Sequence, residues 1–150
     1  MSISSGFFVT GHGSTAELAC PVYEGTVSVG AGSVLDLSDP ALTAVVTTNL
    51  QLAAGAVVKV CVTPDGCDLI DARGGACGLP GSGAVVLDVA VRPDTPPGLY
   101  AVAAFPDAAS GNWTGRFTAS GGQQVDLAFA LNRTVLCVRV RRAPTVLYFR

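Results

Sequence analysis

The chain reads as an all-β domain, an antiparallel β-sandwich with little or no helix. Three observations carry that expectation. Residues 96–142, PPGLYAVAAFPDAASGNWTGRFTASGGQQVDLAFALNRTVLCVRVRR, contain four apolar runs, at 99–105, 114–119, 125–131 and 134–140. Short turn-rich segments separate them, which is the rhythm of strands joined by hairpins. Upstream, alternation with period two is clearest at 56–63, where Val58, Val60 and Val62 share one face while Lys59, Cys61 and Thr63 share the other with Val57. The one stretch with helical spacing, 40–54 with Leu42, Val45, Val46 and Leu50, is crowded with Thr43, Thr47 and Thr48. β-Branched side chains disfavour a helix and fit a strand, so strands are expected there. At 150 residues the chain is one domain by length and long enough for a two-layer core.

In chain order, residues 1–21 hold one apolar run, 3–10, and then the loop GHGST; this stretch is a short strand or an N-terminal arm. Residues 22–29 read as a strand, Gly30-Ala31-Gly32 as a turn, and Val34, Leu35 and Leu37 as a second short strand. Residues 64–83 hold two prolines and many glycines and predict a long loop around a short segment at 68–71. At 84–91, Val85, Leu87, Val89 and Val91 line one face. At 99–105 both alternating rows are apolar, so a central strand covered on both sides is expected. Leu127, Phe129 and Leu131, then Leu136, Val138 and Val140, face the core. The expected core is Val58, Val60, Val62, Leu87, Val89, Leu99, Phe105, Leu127, Phe129, Leu136 and Val138. No internal repeat is read from the sequence.

Hydrophobic residues make up 49% and charged residues 13%, against about 25% charged in an ordinary soluble domain. A surface this poor in charge is either buried in part against other subunits or a neutral Thr, Ser and Gly surface on an Ala- and Val-rich chain, and composition favours neither. Nine Lys and Arg against eleven Asp and Glu leave a net charge of −2, which gives no electrostatic basis for binding nucleic acid. Arg139, Arg141 and Arg142 read as a polar strand edge. No run approaches the length of a membrane helix, and the Met-Ser-Ile-Ser-Ser start lacks the basic and apolar segments of a signal peptide, so a cytoplasmic start without a membrane is expected.

Cysteines fall at positions 20, 61, 67, 77 and 137, with no CxxC pair and a single histidine, so neither a metal site nor any other cofactor is expected. Cys67 and Cys77 flank a glycine-rich loop that one disulfide would close into a ring, worth about 3 kcal/mol. Cys61 and Cys137 lie on the non-core faces of their strands and with Cys20 complete the disulfide candidates; the odd count leaves one thiol free or available to another subunit. Asp65, Asp68 and Asp71 lie three apart, which is not the spacing of a calcium loop. His12, between two glycines, reads as a solvated loop residue. With His12 and Lys59 the only bases of the kind a nucleophile needs, and no GxSxG beside them, no catalytic residues are assigned. Trp113, within GNWTG, is a candidate core or interface anchor.

The segment PPGLYAVAAFPD, then SGNWTG, then GGQQVDLAFAL, resembles the carboxypeptidase-regulatory or transthyretin-like β-sandwich modules, over residues 96–131. That resemblance implies an Ig-like or transthyretin-like sandwich, with a jelly roll as the other two-sheet arrangement. The low charge and Ala, Val and Gly richness are similar to small virion proteins of tailed bacteriophages. That likeness implies a non-enzymatic structural subunit, a capsid decoration or cement protein or a tail or neck component, located in the virion and assembled in the host cytoplasm. Its partners would be itself, as a homo-oligomer, and other structural subunits. The alternative is an Ig-like accessory module that recognises carbohydrate or protein through its loops.

The interface candidates are Trp113, Arg139, Arg141 and the C-terminal run Val146, Leu147, Tyr148 and Phe149. That run follows Pro144, and four consecutive apolar residues at a chain end need a strand edge to cover them, so 145–150 is expected to be a docking strand. Deleting residues 145–150 is therefore expected to lower thermal stability or oligomer size. If neither changes in melting and light-scattering measurements, the tail is a passive end.

Overall fold

A computed structural model describes residues 2–4, 7–9, 13–18, 21–39, 41–106, 117–120, 124–130 and 134–142. These residues hold strands and no helix. In order the strands are β1 (Ser2–Ser4), β2 (Phe7–Val9), β3 (Thr15–Glu17), β4 (Val22–Val29), β5 (Val34–Asp36), β6 (Ala44–Leu52), β7 (Val57–Thr63) and β8 (Gly66–Cys67). Then follow β9 (Leu69–Asp71), β10 (Ala76–Gly78), β11 (Val85–Val91), β12 (Gly98–Ala104), β13 (Phe117–Ser120), β14 (Val125–Ala130) and β15 (Val135–Val140). The β-branched residues of 40–54 have their way: β6 is one long strand.

Two sheets form, as expected, but the pairing within them differs from a sandwich of hairpins. One sheet runs β4-β6-β9-β12-β15-β14, with β1 and β2 both beside β4 and β10 beside β6; the other runs β13-β11-β7-β5-β3, with β8 beside β7. The chain crosses to the opposite sheet after almost every strand. Each new strand then lies parallel to the one laid down a coil earlier: β4 to β6, β6 to β9 and β9 to β12 in the first sheet, and β3 to β5, β5 to β7, β7 to β11 and β11 to β13 in the second. This is a β-solenoid, a stack in which each coil contacts its neighbours. The hairpin β14–β15 is antiparallel and joins the stack through an antiparallel pairing of β15 with β12.

The stack contains a repeat that the linear sequence conceals. Gly13, Gly32 and Gly55 begin successive coils of the second sheet, with φ of 79°, 71° and 83°. The Gly13 N–H donates to the Gly32 carbonyl and the Gly32 N–H to the Gly55 carbonyl, each at 3.1 Å. Each coil turns there through a left-handed residue, which only glycine adopts without cost. The residues that follow stack too: Ala16 pairs with Leu35, Leu35 with Val58, and Val58 with Leu87. The period grows along the chain. Thr15 stacks on Val34, Val34 on Val57, Val57 on Val86, and Val85 on Phe117, steps of 19, 23, 29 and 32 residues.

The core lies between the sheets. Val27, Val29, Val45 and Leu50 of the first face Leu35, Val58, Val60 and Leu87 of the second, all 2% exposed or less. At the far end Phe105 and Phe117 meet with ring centroids 5.8 Å apart. Of the expected core, Val58, Val60, Val62, Leu87, Val89, Phe105, Leu136 and Val138 are buried, and Leu127 packs against the cluster. Leu99, at 56% exposure, is not in the core. A bulge between Ala101 and Ala103 shifts the register against β15, so Tyr100 and Val102 point inward before it and Ala103 and Phe105 after it. Phe129, at 37%, shares the row of Leu127 but sits on β14, the last strand of its sheet, where the opposite sheet no longer covers it. The expected loop at 64–83 instead carries β8, β9 and β10; β9 and β10 both pair with β6, with residues 72–75 looped out between them.

The glycine column yields a direct test. Gly32→Ala and Gly55→Ala are each expected to cost about 1–2 kcal/mol in denaturant unfolding, the penalty for an L-residue in the left-handed region. Gly81→Ala, in open surroundings and outside that region, should leave stability unchanged.

Candidate functional site

The corner where strands of the second sheet hand over to the first carries the polar chemistry of the molecule. At the start of the third handover, the chain turns back after Thr63, lays β8 antiparallel along β7, and brings Asp68 over the corner. The Asp68 side chain is fully buried. One carboxylate oxygen accepts the Thr43 N–H at 2.8 Å and the other accepts the Cys61 N–H at 2.7 Å. A single side chain thus ties the entry of β6 to β7. Burial pushes the Asp68 carboxyl above the usual range, against the two N–H donors that pull it down; the nearby carboxylates of Asp36 and Asp39 push it further up.

The same turn explains the cysteines. Cys61, expected on an outward face, is buried on β7, where its N–H bonds Asp68 and β8 pairs alongside, and Cys137, also expected outside, is buried on β15 between β12 and β14. Cys61, Cys67, Cys77 and Cys137 are all free thiols; Cys20 lies outside the described residues. Cys67 and Cys77, the two ends of the expected ring, stand on separate strands, β8 beside β7 and β10 beside β6. Burial raises the thiols of Cys67 and Cys137 and pushes that of Cys77 up to about 11, which disfavours the thiolate that reacts as a nucleophile. Among the described residues no group of three or more His, Cys, Asp or Glu is arranged to hold a metal ion. Asp71, one of the three spaced aspartates, pairs with Arg73 at 2.6 Å, which holds its carboxyl below the usual range.

Further along the same corner, past β11, lies a cleft of about 450 Å3 between the turn at 92–97 and the end of β15. The turn is braced from below. The Arg92 N–H reaches the Val62 carbonyl at 2.8 Å, and the Thr95 hydroxyl bonds the Arg92 carbonyl at 2.6 Å. Asp94 sits between them at φ 66°, and the Tyr100 hydroxyl donates to the Pro96 carbonyl at 2.6 Å. Arg92, Arg141, Arg142 and Asp94 line the cleft together with the apolar Val91, Pro97 and Val140. Arg139 and Arg141, both expected interface residues, share one oxygen of Asp126. Arg92 and Arg142 have no ion-pair partner among the described residues. The other expected interface residues, Trp113, Val146, Leu147, Tyr148 and Phe149, lie outside the described residues, as does His12.

The cleft is one pole of a larger asymmetry. Residues 1–71 hold seven of the eleven Asp and Glu and one of the nine Lys and Arg; residues 72–150 hold the other four acids and eight bases. Because the coils stack in chain order, the described residues carry this division along the stack, seven acids and Lys59 up to residue 71 and five arginines with three acids after it. At the opposite end, on the same corner, a hollow of about 190 Å3 is lined by Glu17, Asp36 and Asp39. The signal was present in the sequence, in the separation of charges between halves, but it acquires a spatial meaning only with the solenoid topology.

Comparison with known proteins finds no matching family model, no similar curated protein and no similar solved structure. The fold and the charged corner therefore stand as the basis for a functional reading.

Asp68 gives the test of the corner. Asp68→Ala leaves two buried N–H groups without acceptors and is expected to cost at least about 2 kcal/mol. A carboxyl raised in the folded state keeps its proton where the unfolded chain has lost it, so its ionisation removes stability as pH rises through that window. The stability difference between the native chain and Asp68→Ala should thus be larger at the acidic end of the window than near neutrality, measured by denaturant unfolding across the carboxylate range.

Proposed function

We propose that the chain is a non-enzymatic structural subunit of a large assembly, of the kind that its likeness to small bacteriophage virion proteins implies, and that it assembles through its first coil. The observation that carries this reading is the open side of that coil. β3 pairs only with β5 among the described strands, and β1 and β2 only with β4. The Val34 N–H donates to the Ser14 carbonyl at 2.8 Å and the Leu18 N–H to the Asp36 carbonyl at 3.0 Å. The alternation of a parallel ladder then turns the main-chain groups of Thr15 and Glu17 to the other side. A row of main-chain donors and acceptors at a sheet edge is a template for a further strand. The low fraction of charged residues, 13%, is consistent with the same reading.

Thr15→Pro tests it. The Thr15 N–H faces away from β5, so proline removes a donor from the open edge and none from the fold. The native chain is expected to scatter light as a species heavier than one chain, and Thr15→Pro to return toward a single chain while its unfolding free energy changes by less than about 1 kcal/mol. A native chain that stays monomeric at all concentrations contradicts the reading.

A further inference from the structure

We infer that the arginine-rimmed cleft is a docking site for the acidic first coils of a second copy of this chain, so that copies stack head to tail. The inference rests on the assembly reading above and names the contact that orders it. Three features of the molecule converge on it.

The first is the charge at each pole. Among the described residues Arg92 and Arg142 have no carboxylate ion-pair partner, and Arg141 shares Asp126 with Arg139. Around the opposite hollow, Asp36 accepts the Ser38 N–H at 2.9 Å, Asp39 accepts the Ala41 N–H at 3.2 Å, and no described cation pairs with either or with Glu17. Asp94 also lines the cleft, which leaves it three arginines against one lining carboxylate, while the opposite hollow is lined by three acids and no base.

The second is position. Glu17 and Asp36 end β3 and β5, and Arg92 follows the end of β11, all parallel strands of one sheet. Arg141 and Arg142 follow β15, whose last residue Val140 is paired with Gly98 at the start of β12. Both patches therefore lie on the corner where the second sheet hands over to the first. Displacing one copy along the stack, at about 4.8 Å per coil, brings the acidic corner of one onto the basic corner of the next without rotating it to another face.

The third is shape. The cleft is a hollow of mixed apolar and charged lining, and the leading coil presents Glu17 on a strand edge that no described strand covers, with Leu18 buried next to it. A contact between two different surfaces of the same molecule does not close on itself, so the product is an open linear array.

Two reciprocal variants test the inference. Arg92→Glu with Arg142→Glu makes both poles acidic; Glu17→Lys with Asp39→Lys makes both basic. All four side chains belong to exposed residues, and circular dichroism melts confirm that each variant folds. Sedimentation velocity then reads the association of the native chain, each variant alone, and their equimolar mixture, at about 0.05 M and about 0.5 M salt, where screening differs strongly. The native chain should associate at low salt and at least about tenfold more weakly at high salt. Each variant alone should lose association to a similar degree, and the mixture should recover it, since the acidic tail of one variant meets the basic head of the other. If the native chain associates and both variants associate equally well, the charged docking is wrong while the assembly reading stands. If the variants fall apart and the mixture does not recover, the four charges act in contacts between copies other than cleft against first coil, and this docking is again overturned. A native chain that never associates removes the assembly reading and this inference together.

Discussion

Main-chain hydrogen bonding between coils is the constraint on which the rest of the structure depends. No strand from β3 to β13 finds its partner in the segment that follows it, except where β8 folds back on β7. Each waits for a strand 19 to 32 residues later in the second sheet. One coil alone buries one row of Val and Leu and leaves two strands unpaired. Stacked, the rows of Val27, Leu50, Leu35 and Val58 close a continuous core, and each edge is covered by the next coil. The arrangement has a first edge that no described strand covers, and at the other end it recruits the antiparallel pair β14–β15 to extend the first sheet.

A mid-strand bulge and the corners carry the exceptions to this regular scheme. Thr47 answers the bulge in β6 by accepting the Asn49 N–H at 3.1 Å on its hydroxyl. Asp68 answers the tight return from β7 by accepting two main-chain donors from different sheets, at the cost of burying a carboxyl. Gly75 sits where a side chain would run into the Thr48 carbonyl. The chemistry that distinguishes the two ends, acids around Glu17 and Asp36 and arginines around the 92–97 turn, is displayed on one such corner because corners are where the chain turns outward and side chains escape the two faces.

Strand positions were legible in the sequence to within a residue or two at Val22–Val29, Val57–Thr63 and Val85–Val91, because alternation depends only on which face is buried. Strand partners were not. Gly30-Ala31-Gly32 announces that the chain turns, but a glycine turn serves a hairpin within one sheet and a crossover to the other equally well, and alternation is the same in both. The repeat that decides between them has a drifting period and a consensus of little more than a glycine ahead of an alternating run. The charge poles were equally visible as letters and equally mute: seven acids ahead of residue 72 and, among the described residues, five arginines after it describe an axis only if chain order is spatial order. Leu99 and Phe129 misled for local reasons, a bulge that switches faces and an edge that lacks cover, neither of which alternation encodes.

The parallel stack is the central claim, and a nuclear Overhauser experiment on isotopically labelled protein tests it most directly. Main-chain contacts are predicted between Leu35 and Val58 and between Val58 and Leu87, with the two strands of each pair running the same way. Contacts joining Val29 directly to Val34 across the Gly30–Gly32 turn, in the pattern of an antiparallel hairpin, would contradict it.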